Sequence, residues 1–310
     1  MINRVTVLTN PAAGHGNARH AAQHAISRFQ QRGIEVTPVV GSDPRHTRQL
    51  LDESIAAGTD AVVVAGGDGG ISLALQSLAQ TDIPLGIIPA GTGNDHAREY
   101  ELPTDDPAAA ADIVIQGCTE TVDLGRITHD SSSTQEDAQM YWFGTVMAAG
   151  FDSLVSDRVN RMRWPHGRMR YNLAMIAELS KLRPLPFRLT FDNDAPLDVD
   201  LALAAFGNTR SYGGGMLICP AAFPSDGLLD VTMVQSGSRL KLIRLFPTVF
   251  TGRHIDLDEV STRRAASIRV ECPGINAYAD GDYVGPLPVT VSAVPGALRL
   301  LRRPDSTRRS

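Results

Sequence analysis

Lysine is almost missing from this chain: among 310 residues only Lys181 and Lys241 occur, and neither lies near a glycine-rich turn. That excludes a Walker A loop, which needs a lysine after its glycines to reach the β/γ-phosphates. Cysteine is scarce as well. Cys118, Cys219 and Cys272 are odd in number and widely spaced, which points away from a disulfide framework or a zinc site and towards small buried hydrophobes. No run approaches the ~18 uninterrupted apolar residues of a spanning helix. The opening MINRVTVLTN leads into a strand rather than a signal peptide. A cytoplasmic protein is expected, or one peripheral to the inner face of the membrane. Positive charge is not in excess either, and a net charge of −5 argues against nucleic acid as a partner.

What is present is the composition of a globular protein, 43% hydrophobic and 20% charged, at a length that fits two domains. The first third carries three glycine-rich turns, each directly after a β-branched run. They are Asn10-Pro11-Ala12-Ala13-Gly14 after VTVLT, Gly66-Gly67-Asp68-Gly69-Gly70 after AVVVA, and Pro89-Ala90-Gly91-Thr92-Gly93-Asn94-Asp95 after LGII. Strand and helix alternate around them, with helices closed by Gly33 and Gly58 and a further strand at TVDLGRI. Continuously apolar strands suit a parallel sheet covered on both faces. The expected fold of residues 1–125 is a doubly wound α/β domain, in which the three turns converge on one sheet edge and their N–H groups surround a phosphate chain.

After about residue 126 the pattern changes. YWFGTVMAAG, PFRLTFDN, VDLALAAFGN, GLLDVTMVQ, AASIRVECPG and PVTVSAV read as strands, with helices expected over 152–163, 170–182 and 239–250. A β-rich antiparallel sandwich is expected over 126–295, while about 296–305 are candidates to complete the first domain.

Asp68 sharpens the reading of the second turn. A carboxylate inside a phosphate-binding turn repels its ligand unless Mg²⁺ lies between them, so Asp68 is a candidate ligand of a metal or of its water. Thr92 can donate to a phosphate oxygen. Asn94 and Asp95 stand where the next helix begins, as phosphate-side groups or merely as helix caps. His15 can approach phosphate, and His20 and His24, one helical turn apart, lack a third metal ligand.

NPAAGHG, GGDGG before an apolar helix, PAGTGNDHAR, VDLG, DGLLDVTMV and YADGD follow one another in this order. The chain thereby resembles the diacylglycerol kinase catalytic family over nearly all its length, and within it the soluble bacterial lipid kinases of actinobacteria. The resemblance implies an NAD kinase/diacylglycerol kinase-like α/β domain, a lipid-binding β-rich domain and a cleft between them. It also implies ATP and Mg²⁺ as cofactors, a lipid alcohol at a membrane surface as substrate, and diacylglycerol as the preferred acceptor. Related bacterial enzymes are often dimers, so the resemblance admits a homodimer. Carried over by position, nucleotide contacts fall on Asn10 to Gly14, on Gly66, Gly67, Asp68, Gly69, Gly70, Ile71 and Ser72, and on Gly91 to Asn94. The acidic network falls on Asp68, Asp123, Asp280 and Asp282, with Asp282 as proton acceptor where the family usually has Glu. A structural Mg²⁺ site falls on Asp226 with the carbonyls of Phe223 and Leu228.

The late pair has its own chemistry. If the chain is extended, Asp280 and Asp282 point to one side across Gly281, and two close carboxylates disfavour double ionisation, which makes one of them a base. The other reading is an Asp-Gly hairpin turn; the resemblance favours the pair. This sequence departs from the family at Gly70, at Ser72-Leu73 and at Thr145, without loss of the acidic residues. Arg158 to Tyr171 is the densest basic stretch, with Trp164 and Tyr171 interleaved, and suits an anionic membrane surface or a solvated helix whose arginines are paired. Competing functions are a kinase for a sphingoid base, an NAD kinase, for which Ser211 to Gly215 is a poor match, and a non-catalytic binding module.

Overall fold

The computed structural model describes residues 2–10, 17–129, 140–151, 158, 184–235 and 247–303. Pro11, Ala12, Ala13, Gly14 and His15 lie outside the described residues. So do the helices expected over 152–163 and 170–182 and the basic stretch, all save Arg158, and most of the helix expected over 239–250. The chain divides into two compact units, Met1–Leu124 with Pro295–Ser310, and Gly125–Val294.

The first unit is built on the parallel strands β1 (Arg4–Thr9), β2 (Glu35–Val39), β3 (Ala61–Gly66) and β4 (Leu85–Pro89) in the order β2-β1-β3-β4. Each strand alternates its faces, and both faces are covered. On one, Val5, Val7, Val63 and Ala65 pack under helix α1 (Asn17–Gln31) and helix α5 (Pro107–Gln116). The buried positions of α1, Ala18, Ala21, Ala22, Ala25 and Phe29, recur at helical spacing, so burial selects one stripe. On the other face lie α2 (Pro44–Ala56) and α3 (Asp68–Leu78), where the Thr6 hydroxyl bonds Ser54 across 2.6 Å and a Cβ at Gly70 would stand 3.1 Å from Val64 Cγ1. The doubly wound arrangement expected from the apolar strands is therefore present.

Local signals set the helix ends. Asp43 and Asp106 cap α2 and α5 by accepting backbone N–H groups ahead of a proline in the first turn. Gly58 and Gly117 close them in the left-handed region. One expectation fails: the helix after the third glycine-rich turn, α4 (Asp95–Glu99), is a single turn, and a full helix resumes only at Pro107. The sheet is completed from far along the chain. Leu300 of β15 (Val289–Leu301) pairs with Leu85, and β5 (Thr119–His129) lies beside β15.

The second unit is an antiparallel sandwich, again as expected. Its further strands are β6 (Met140–Phe143), β7 (Val146–Gly150), β8 (Leu185–Phe191), β9 (Leu197–Gly207), β10 (Leu229–Gln235), β11 (Val260–Ala265), β12 (Ser267–Glu271), β13 (Asn276–Ala279) and β14 (Asp282–Pro286). One sheet runs β14-β13-β7-β9-β10-β11 and the other β9-β8-β12-β15-β5-β6, so the long β9 belongs to both. Strict alternation sorts the side chains: Met147, Ala149, Ala204 and Phe206 enter the core between the sheets with Phe143, Phe187 and Phe191. Val146, Ala148, Leu203 and Ala205 pack on the outer side against Met216, Ile218 and Val249. Cys219 and Cys272 are buried as predicted, while Cys118 is half-exposed at the end of α5. Among the described residues no helix is long and apolar enough to cross a membrane.

Gly125 makes the pairing of β5 and β6 possible, because a Cβ there would lie 2.0 Å from Phe143 Cζ. Gly125→Ala must displace a fully buried ring and is expected to cost about 1–3 kcal/mol. A urea midpoint that does not move would refute this account of the packing.

Candidate functional site

Parallel strands place their C-terminal ends on one edge, and that geometry gathers the glycine-rich turns of the first unit. Asn10 follows β1, Gly67 follows β3, and Ala90 to Asn94 follow β4. Asn10, Gly66, Gly67, Gly69 and Gly70 line a cavity with Leu8, Val64 and Ala65. The second and third turns touch through their main chains: a Cβ on Gly91 would stand 2.4 Å from Gly67 Cα, and one on Gly67 would stand 2.9 Å from Gly91 Cα. Only glycine fits at either position. The amides of Asp68 and Gly69 stand in the first turn of α3, where a helix has no internal acceptor for them, and such N–H groups are suited to phosphate oxygens.

Asn94 has a different part from the one expected. It sits in the left-handed region at φ 53° and makes no cap bond. Its amide folds back on Gly91 instead, with Oδ1 accepting from the Gly91 N–H at 2.9 Å and Nδ2 donating to the Gly91 carbonyl at 3.1 Å. It therefore fixes the turn rather than facing phosphate. Asp95 is buried and accepts from Arg98 at 2.6 Å. With one turn of helix behind them, neither residue stands at a significant helix dipole. Thr92 is exposed, so its hydroxyl can reach a ligand. The Ile71 and Ser72 side chains are buried, on the side of α3 that packs inward.

Asp68 is held from the third turn. The His96 backbone N–H lies 3.2 Å and His96 Nδ1 3.1 Å from its Oδ1. Burial pushes the Asp68 carboxyl up; the hydrogen bond and charge of His96, with the Asp95 and His96 amides, outweigh this and hold it at about 2. It is ionised throughout the neutral range. Asp123 is buried, and its Oδ1 accepts from the Gly296 N–H at 2.8 Å, which ties β5 to β15.

In the second unit the two late aspartates do not share a face of an extended strand. Asp280 at φ 50° and Gly281 at φ 88° form the two-residue turn of the β13–β14 hairpin, closed by the Ala279–Asp282 pair. The turn sends the carboxylates to different partners. Asp280 accepts from the Gly144 N–H at 2.7 Å, the Thr145 N–H at 2.8 Å and the Thr145 hydroxyl at 2.5 Å. Asn208 holds the same loop by donating to the Gly144 carbonyl at 2.9 Å. Asp282 is exposed, and the Tyr141 hydroxyl donates to its Oδ2 at 3.2 Å.

Comparison with known proteins follows these two halves. Residues 4–127 match the model of the diacylglycerol kinase catalytic domain, and residues 145–302 that of the YegS C-terminal NAD kinase beta sandwich-like domain. Over 301 residues the chain is 64% identical to a diacylglycerol kinase of Mycobacterium tuberculosis, covering 97% of this chain and 96% of the relative. The chain belongs to the diacylglycerol kinase family. Its fold is also that of a diacylglycerol kinase structure from Bacillus anthracis, with TM-score 0.70 at 19% identity over 98% of both chains. An ATP complex of an NAD kinase from Archaeoglobus fulgidus shares the fold more distantly, with TM-score 0.52 at 12% identity over 96% of this chain and 93% of that one. Membership of this kinase family implies ATP as the phosphoryl donor.

The family's Mg²⁺ can be tested against the residues present. Asp68 fits in its chemistry: it is an ionised carboxylate held by His96, and its chain neighbours Gly67 and Gly69 line the cavity. The turn of Asp226, Phe223 and Leu228 does not fit. Asp226 Oδ1 accepts from the Leu228 N–H at 3.0 Å, and its Oδ2 is taken by Arg264, whose Nε also reaches Asp230 at 3.2 Å. The Phe223 carbonyl accepts from the Ser225 N–H at 2.8 Å. A guanidinium thus balances the charge assigned to a metal ion.

His96, Tyr141, Asn208 and Gly144 escaped the sequence reading. Only the departure at Thr145 marked the loop that Asp280 holds, and no spacing signal links His96 to Asp68, 28 residues earlier. Two outcomes follow. Asp280→Ala leaves two amides of the Gly144 loop without their acceptor and is expected to cost about 2–3 kcal/mol in urea unfolding, whereas exposed Asp282→Ala stays within ~0.5 kcal/mol. Equal costs would contradict the division between them. In nucleotide-free protein, Mg²⁺ against EDTA is expected to leave Tm unchanged to about 1 °C, since no site gains binding energy at the Asp226 turn. A Mg²⁺-dependent rise lost in Asp226→Asn would show that the ion displaces Arg264.

Proposed function

We propose that this chain transfers the γ-phosphoryl group of ATP to the free hydroxyl of diacylglycerol, giving phosphatidic acid and ADP. The observation that carries the acceptor is the 64% identity, along nearly the whole chain, to a diacylglycerol kinase. The N–H groups of Asp68 and Gly69, Asn10 and the Thr92 hydroxyl bind the phosphates, and Pro11, Ala12, Ala13 and Gly14 are proposed as further nucleotide contacts. Gly91 and Gly93 let the backbone approach. Asp68 would hold Mg²⁺, and the ion would supply neutralisation of phosphate charge. Phosphoryl transfer needs positioning and a proton acceptor, and little else from the protein.

Asp282 is that acceptor. It is exposed where Asp280 is fully engaged, and Tyr141 orients one of its oxygens. The acceptor oxygen gives its proton to Asp282 as the new O–P bond forms, and the bond between the γ-phosphorus and the ADP oxygen breaks. Asp280 shapes the Gly144–Thr145 loop beside it, and Asp123 acts through the β5–β15 junction. The substrate is reached at a membrane surface, and a homodimer is the proposed assembly.

Radiolabelled ATP offered with mixed lipids should label phosphatidic acid. Asp282→Ala should lower kcat about 10²–10⁴-fold, the usual contribution of a general base, with the KM for ATP little changed. Label in a sphingoid base or in NADP would overturn the acceptor. No label at all from the wild type would indicate a binding module.

A further inference from the structure

Asp68 stands in an unusual setting for a residue that must hold a fixed direction. Its sequence neighbours are Gly66, Gly67, Gly69 and Gly70, none of which offers a side-chain wall against which a carboxylate could pack. The side chain is only 20% exposed, yet an arriving phosphate chain would push its negative group away. One residue opposes this. His96 is 3% exposed and brings two N–H groups, backbone and Nδ1, to the same Asp68 oxygen, at 3.2 Å and 3.1 Å. Because an ionised carboxylate only accepts, Nδ1 must be the protonated nitrogen of this contact. Oδ1 is thereby committed to His96.

We propose that His96 is the positioning residue of the phosphate-binding edge: it locks the Asp68 rotamer so that one defined oxygen faces the nucleotide phosphates. The lock is carried from the third turn to the second. Gly91 against Gly67 sets the spacing of the turns, Asn94 fixes the third turn by its two bonds to Gly91, and His96 follows two residues later. This rests on the nucleotide reading of the glycine-rich edge. It adds a residue that touches neither substrate nor the transferred group.

The test compares His96→Phe, which keeps the aromatic bulk without a donor, with His96→Asn, whose Nδ2–H falls close to the place of Nδ1–H. His96→Phe is expected to lower kcat about 10–100-fold, the scale of a misplacement of about 1 Å, with the KM for lipid unchanged. His96→Asn should recover to within about 5-fold of wild type, since it restores the hydrogen bond. In nucleotide-free protein the urea midpoints of His96→Phe, Asp68→Ala and the double variant should be non-additive, as for two residues in direct contact. Wild-type kinetics in His96→Phe, equal loss in both His96 variants, or additive midpoints would each overturn the proposal. If the wild type itself phosphorylates no lipid, the functional reading fails, and the midpoint cycle still decides whether His96 holds Asp68.

Discussion

The phosphate-binding edge depends on one main-chain contact, that of Gly67 with Gly91. Strand order brings the ends of β3 and β4 side by side at ordinary sheet spacing, but ordinary residues in the two turns would hold the loops apart. Glycine at both positions removes that barrier, and the sequence of events along the third turn follows from it. Ala90 donates to the Gly66 carbonyl at 2.8 Å, Asn94 curls onto Gly91, and His96 arrives at Asp68. A methyl group at either glycine would separate the carboxylate from the ring that holds it. The glycines thus act on chemistry at one remove, by deciding which side chains can meet.

The second unit solves a similar problem with a carboxylate. The Gly144–Thr145 link between β6 and β7 leaves two amides pointing out of the ladder, and buried or half-buried N–H groups need acceptors. Asp280 supplies both from the tip of a different hairpin, in a left-handed conformation that Asp tolerates and most residues do not. That tip position separates Asp280 from Asp282, because a two-residue turn breaks the period-2 rule that would have aligned them. The four aspartates read as one acidic network therefore divide by environment. Asp123 and Asp280 hold backbone, Asp68 is clamped by His96, and Asp282 is exposed with the Tyr141 hydroxyl on its Oδ2.

Which parts were legible in the sequence follows from the range of the forces involved. Apolar strands and alternating strands are written locally, so the doubly wound sheet and the sandwich could both be read, as could helix ends at Gly33 and Gly58. The strand β11 could not: it buries only Val260 and Ala265 and has no apolar alternation to find. The α4 break was hidden because an N-terminal signal says nothing about length. At the site, glycine turns and acidic residues were visible by type, while their partners were not. Nothing local marks Gly144 as the target of Asp280, 136 positions away, or Arg264 as the partner of Asp226.

The scarcity of lysine takes on a sharper meaning once the cavity is seen. Its described walls contain no cationic side chain, only glycines, small apolar residues and Asn10. The carboxylate beside it, Asp68, is held ionised. A triphosphate placed there meets amide dipoles and a like charge, an arrangement in which Coulomb repulsion at contact distance exceeds what a few N–H groups return. A cation that arrives with the ligand would offset that repulsion. Elsewhere the same chain places arginines in fixed pairs, Arg264 with Asp226 and Asp230 among them. Cavity walls that hold no cationic side chain among the described residues, beside one clamped carboxylate, suit a nucleotide that carries its own metal.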